Sequence, residues 1–470
     1  MAHALLVLLL VSSAFTAQLE VSGAKIVDGY ILVYGSTILD GRRIPVLVEL
    51  SERWEPLLSL AVDVGYDGAF LDAAKTGDGG LIAVGYVRGA LGARSILVTR
   101  VGADGRVEWA KALGGEVSDY GKCVVALGGG YAVLGVTRSY SMVGGTDLVY
   151  VVVDEEGRVV SAKVFGIPAY EDFVEKVYVL DGRLLAVGTT WSYNVSISDA
   201  LLVELSERGE VLDAATLGGA DVDEGYAAVL SRSGVVVVGS TYGSEMGLSD
   251  AYVALMRGEE ASYVVSMGWE RHDGFVDVKV LDGSYLTLGY AFIGGKQVGL
   301  LTLFNESRLL KAYTLTCEKE LTPLALGRVG SDIMVMFRSD NALLTVTLGD
   351  RLEPIQAFAL GNVSGLERVE LAELRNIGRR VGRIESAWFV RPHKLEQYPV
   401  ELLEATLKFR VIRLELSTKK LELSTVVLEE RENPLMTVVE ALERNIPLVI
   451  LVAPLVVLAI AWVLFKMRRH

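Results

Sequence analysis

From residue 20 to 361 the apolar residues fall in short continuous runs that end in glycine, not at helical spacing. The runs Tyr30-Ile-Leu-Val-Tyr-Gly35, Leu81-Ile-Ala-Val-Gly85 and Tyr131-Ala-Val-Leu-Gly135 are followed by three more of the same form. These are Leu184-Leu-Ala-Val-Gly188, Val235-Val-Val-Val-Gly239 and Tyr285-Leu-Thr-Leu-Gly289. The terminal glycines are spaced by 50, 50, 53, 51 and 50 residues. A seventh copy, Asp332-Ile-Met-Val-Met336, comes 47 residues later and lacks the glycine. Longer identities keep the period. Leu47-Val-Glu-Leu-Ser-Glu-Arg53 returns as Leu202 to Arg208, 155 residues on, and Val179-Leu-Asp-Gly182 returns as Val280 to Gly283, 101 residues on.

Each unit reads as four short strands. In the fifth, Tyr226 to Leu230 is the first strand, Ser231-Arg-Ser-Gly234 a turn, and Val235 to Gly239 the second. A longer loop reaches Asp250, then come Ala251 to Met256 and Ser262 to Met267. Continuous β-branched runs suit strands covered on both faces. Asp28-Gly29, Asp181-Gly182 and Asp282-Gly283 are tight-hairpin signals, because such turns need positive φ. Four-stranded units at this period predict an all-β, seven-bladed β-propeller over residues 20–361, each sheet burying its faces on its neighbours.

The chain resembles secreted prokaryotic, archaeal-type β-propeller repeat surface proteins of largely uncharacterised function. The residues that carry this are Asp104-Gly-Arg-Val-Glu-Trp-Ala-Lys-Ala-Leu-Gly-Gly115, Asp119-Tyr-Gly121 and Gly128-Gly-Gly-Tyr-Ala-Val-Leu-Gly135. The resemblance covers about 340 residues. It implies the propeller fold and a surface location, and says little about a ligand.

The ends carry other patterns. Residues 1–17 hold an apolar run from Ala4 to Val11 followed by small residues, the form of a cleaved export signal. Residues 446–465 are uncharged and long enough to span a bilayer as a helix, and Lys466, Arg468 and Arg469 follow. The expectation is a single-pass membrane protein with its ectodomain outside and residues 466–470 as a cytoplasmic tail. Residues 362–440 are expected to form a small β-rich juxtamembrane stalk. Within it Val400 to Leu416 alternates, Ser417 to Lys420 makes a polar turn, and Leu421 to Leu428 alternates again.

Composition narrows the partners. Forty-five Lys and Arg against 59 Asp and Glu leave a formal net charge of −14, which argues against nucleic-acid binding. Asn and Gln number only 11, as in heat-adapted chains. Two cysteines, Cys123 and Cys317, make neither a disulfide framework nor a four-thiolate metal site.

The best candidate chemistry is a periodic carboxylate at the start of each innermost strand. Asp119, Asp172, Asp223 beside Glu224, and Asp273 stand there, with Asp67 as the displaced member of the second copy and Glu320 sixteen residues before Met336 in the seventh. Pointing at the axis, they would form an acidic ring able to hold Ca²⁺ or a cationic ligand. Accepting backbone N–H bonds, each would instead close a turn within its own blade. A second set, Asp147, Asp199 and Asp250, precedes the third strands behind Thr146, Ser198 and Ser249 and reads as loop capping. No catalytic motif involves the four histidines, and Arg271-His272-Asp273 reads as an exposed loop. Asn194, Asn305 and Asn362 open glycosylation sequons. The function expected is a membrane-anchored, cell-surface binding or scaffold protein for a protein or glycan, with no resident cofactor beyond a candidate calcium ion. The competing class is an extracellular hydrolase or lyase that uses a pair of channel-mouth carboxylates.

Overall fold

The structure is a computed structural model of the chain. It describes residues 19–429 except 28, 142–144, 167–169, 192–196, 244–246, 270, 307, 341, 362–363, 365, 367, 376–379, 384–388, 393–396, 415 and 417. Seven antiparallel four-stranded repeats follow one another, over residues 19–63, 68–114, 119–165, 172–218, 223–267, 274–316 and 322–361. Their first strands lie innermost and pack in a cycle, with Leu19–Val27 of the first repeat against Thr322–Val329 of the last. The closed ring buries seven apolar clusters, one between each pair of neighbours. Second and third strands are sandwiched: Gly130–Thr137, Ser95–Val101 and Ala342–Leu348 are buried at every position. The hairpin signals act locally as read. Asp181 and Gly182, and Asp282 and Gly283, all have positive φ, the geometry of a two-residue turn between twisted strands.

The periodic glycine has a structural cause. In every repeat the first strand carries one extra residue opposite the second strand, as between Phe70 and Asp72 or between Val174 and Lys176. This β-bulge pushes a carbonyl of the first strand over the Cα of the facing residue. A Cβ on Gly188 would fall inside the van der Waals shell of the Phe173 carbonyl oxygen, and one on Gly239 inside that of Glu224. In the seventh repeat the residue in this place is Phe337, opposite Pro323, and not Met336 as the sequence pattern marks it. The Phe337 ring occupies the space where Gly299 of the sixth repeat lacks a side chain.

The expected fold class is corrected in two respects. The stretch assigned to a stalk over 362–440 is, as far as it is described, no separate domain. It runs backwards round the ring as a belt. Arg368–Arg375 adds a fifth strand to the sixth repeat, Val381–Arg383 to the fifth and Phe389–Pro392 to the fourth. Gln397–Pro399, Leu403–Thr406 and Arg410–Arg413 then serve the third, second and first. Finally Thr418–Glu429 pairs antiparallel with Pro354–Gly361 of the seventh repeat and parallel with Arg368–Arg375, the belt's own beginning. That last contact fuses the sixth and seventh repeats into one ten-stranded sheet, so the ring has six sheets. The alternation at 400–416 therefore belongs to separate edge strands on two repeats, not to a hairpin. A three- or four-residue strand has no stability alone, but the open edge of each outer strand supplies its partner.

The second correction concerns the membrane. Among the described residues there is no α-helix, and none long and apolar enough to cross a bilayer. The expected span at 446–465, the tail at 466–470 and the signal at 1–17 lie outside the described residues. The described residues are all-β and hold no counterpart of the expected single-pass, cell-surface architecture.

Candidate functional site

Four of the predicted carboxylates occupy one repeated position. Asp119, Asp172, Asp223 and Asp273 begin or immediately precede the innermost strands of repeats three to six and are at most 1% exposed. Their bonds stay within the protein. Asp119 accepts the Gly115 N–H at 2.7 Å, the Thr137 hydroxyl at 2.5 Å and the Ser139 hydroxyl at 2.6 Å. Asp223 accepts the Gly219 N–H at 2.6 Å, and Asp273 those of Trp269 at 2.6 Å and Phe292 at 2.9 Å. Asp172 takes the Thr190 hydroxyl. Asp119, Asp223 and Asp273 thereby close the passage from an outer strand to the next inner one. The same position holds Leu19, Gly68 and Leu321 in the other repeats. Asp67 stands one residue earlier, half-buried, and accepts the Arg43 N–H at 3.0 Å. Glu320 is exposed beside Leu321. Glu224 is set apart from Asp223: half-buried on the innermost strand, it accepts the Tyr226 hydroxyl and, at 2.9 Å, that of Ser240. The second set, Asp147, Asp199 and Asp250, is buried at the start of the third strands. Asp199 is held by belt residue Arg391 at 2.8 Å. No group of three or more His, Cys, Asp or Glu among the described residues is placed to hold a metal ion.

Burial sets the ionisation of these acids. It pushes Asp223 up to about 7, and Asp199 and Asp273 to about 6, against the opposing bonds and, at Asp199, the charge of Arg391. A carboxyl raised in the folded state binds its proton more tightly there than when unfolded. Its contribution to stability is complete below pH 4 and is lost as pH rises through 6 to 7. The unfolding midpoint should therefore be higher at pH 5 than at pH 8. Asp223→Asn should flatten this slope, by up to about 4 kcal/mol for a three-unit shift. Thermal melts of both proteins across that range check it, and equal slopes would refute the assignment. Asp63 works the other way. Hydrogen bonds from Arg42 hold it at about 2 despite burial, with Arg410 of the belt adding to them, so its contribution is lost only as pH falls below 4.

The axis carries a charged network that the repeat pattern did not single out. The bulge residues and their neighbours line a cavity of about 250 Å³. Lys25 meets Asp72 at 2.6 Å, Lys122 meets Glu175 at 3.2 Å, and Asp277 lies 3.1 Å from Lys176 and 3.6 Å from Lys279. Asp72 and Asp277 also take the N–H groups of Val124 at 2.8 Å and Leu326 at 2.9 Å from neighbouring first strands. The signal available in sequence was charge inside an otherwise apolar first strand, as in Phe70-Leu-Asp72-Ala and Phe275-Val-Asp277-Val-Lys279. Cys123 joins this wall as a buried thiol that burial pushes up to about 12, while Cys317 is half-buried and the two are unpaired.

One face of the ring is uneven. Second and third strands are joined by two-residue turns in the first and sixth repeats, at 40–41 and 294–295, and in the seventh Ser339 pairs directly with Ala342. In repeats two to five the same strands are separated by 88–94, 138–146, 191–198 and 242–249, of which 142–144, 192–196 and 244–246 lie outside the described residues. Each of these longer loops is tied to the next repeat by an isolated parallel bridge, Arg94 to Ser118, Thr146 to Glu171, Ser198 to Val222 and Ser249 to His272. Val117, Tyr170, Ile197, Tyr242 and Leu248 are 43–58% exposed on this face. His272 lies exposed there, its Nδ1 3.0 Å from the Ser249 hydroxyl and its ring against Tyr242. Of the sequons, Asn305 sits half-buried in a turn on the opposite face and accepts the Arg308 N–H at 2.8 Å, while Asn194 and Asn362 lie outside the described residues.

Fold and surface together define the class: an all-β ring protein with a belt and one loop-bearing face. No family model and no curated protein matches the chain. Among solved structures it is similar to the crystal structure of Sqt1 from Chaetomium thermophilum, with 11% identity, 70% of this chain and 96% of that chain covered, and a TM-score of 0.40. A likeness that distant carries no functional argument.

Proposed function

We propose that this chain is a protein-binding scaffold whose partner docks on the loop face of repeats two to five. The observation that supports the reading most is the confinement of long, bridged loops to four adjacent repeats, with exposed aromatic and aliphatic side chains between them. Loops on a rigid sheet framework are the usual place for recognition, and exposed apolar groups clustered on one face mark interaction surfaces. The buried carboxylates serve the ring rather than a substrate, and this favours binding over hydrolysis. The test is partner capture with the triple variant Tyr170→Ser, Ile197→Ser and Leu248→Ser, beside a control carrying Leu57→Ser and Val160→Ser on the outer strands. The loop-face variant should lose its captured partner with an unchanged melting midpoint, and the control should keep it. The same partner retained by both variants would sink the reading.

A further inference from the structure

The axial cavity contains a charge mismatch. Its wall holds four lysines, Lys25, Lys122, Lys176 and Lys279, and three carboxylates, Asp72, Glu175 and Asp277, a surplus of one positive charge. Three lysines have a carboxylate within 3.2 Å. Lys279 is the fourth, sharing Asp277 with Lys176 from 3.6 Å. Asp277 is already occupied, because the N–H groups of Val278 and Leu326 each donate to it at 2.9 Å. Burial lowers the Lys176 pKa, and the charges of Lys279 and Lys25 push the same way against the pull of Asp277. A surplus cation in a partly desolvated wall is an arrangement that an anion stabilises.

The rest of the wall sets the kind of anion. Ile26, Val177, Leu324 and Leu326 supply apolar surface beside the charges. No described residue of the fifth repeat lines the cavity, and Tyr178 of the fourth reaches across to the fifth repeat's first strand. The Tyr178 oxygen accepts the Ala228 N–H at 3.3 Å, which leaves its own O–H as a donor, and Lys279 Nζ stands 5.9 Å from the ring centre. The volume of about 250 Å³ equals roughly eight waters at ~30 Å³ each, below the range of drug-sized pockets.

We propose that the axial cavity binds a small organic monocarboxylate, its carboxylate at Lys279 and the Tyr178 hydroxyl and its short apolar body against Ile26, Val177, Leu324 and Leu326. One negative charge balances the surplus, and the apolar wall favours a hydrocarbon body over a hydrated inorganic ion. The site is distinct from the loop face and does not depend on the scaffold reading.

Titration of the whole chain with acetate, butyrate and benzoate, followed by calorimetry and by the thermal midpoint, tests this. Butyrate or benzoate should bind saturably and raise the midpoint, while n-butyramide and n-butylammonium should bind at least tenfold more weakly. Lys279→Met, which leaves three lysines against three carboxylates, should weaken carboxylate binding at least tenfold. Lys279 is 40% exposed, so this change leaves the ring folded. Tyr178→Phe should cost several-fold and serves as a second, milder probe. Absence of saturable binding by all three carboxylates would overturn the proposal. So would equal binding of butyramide, or an undiminished response in Lys279→Met.

Discussion

A chain stopped at Gly361 should fail to form a stable ring. It would keep all seven repeats and lose the belt. The belt buries Leu366, Val369, Leu371, Ala372, Leu402, Leu407 and Leu421, each at most 8% exposed. Its residues enter six of the seven clusters between repeats, with Leu402 between the second and third and Leu407 between the first and second. Five buried leucines at about 2 kcal/mol each come to about 10 kcal/mol, the size of a whole domain's stability. The Arg391–Asp199 pair would also break and leave a carboxylate buried without its counter-charge. The truncated chain should therefore melt without a cooperative transition near the full-length midpoint and be cut rapidly by protease. Residues 366–429 supplied as a separate peptide should restore part of the protection. An unchanged midpoint in the truncated chain would show that the belt is ornament rather than closure.

The marker glycines predict the largest effect of a single methyl group. Gly188→Ala and Gly239→Ala each place a Cβ against a backbone carbonyl held in position by the bulge on one side and the ladder on the other. No flexible side chain is there to yield, so strand pairing must shift. A cost of about 3 kcal/mol or more is expected, at the upper end of overpacking penalties. Gly128→Ala is the control, since a Cβ there meets nothing within 4 Å. Denaturant unfolding of the three variants should separate the first two sharply from the third. Equal midpoints would mean that the bulge is not a constraint.

The legible and the hidden parts of this molecule divide along a physical line. The four-strand unit, its turns and its period were readable, because burial on both faces and positive φ at Asp-Gly turns are properties of short stretches. The carboxylate position was readable as a period, but its direction was not. Asp119 points at Gly115 and Ser139, a choice made by the bend between two repeats. The axial ion pairs were not legible because Lys176 and Asp277 lie 101 residues apart, each in a largely apolar first strand.

The stalk reading failed for a related reason. The alternation of residues 400–416 is that of an edge strand, and an edge strand's pattern does not say which edge it joins. Only the closed ring offers seven free outer edges, and only their spacing decides that the chain visits them in reverse order and ends beside its own start. The sequence alone determined a periodic all-β chain with a glycine at one place in each unit. The tertiary structure decided why that glycine is required, how the ring is closed and which charges face the axis. Hydrophobic period and turn chemistry act between near neighbours, whereas closure and charge pairing arise between residues that meet only once the chain has come full circle.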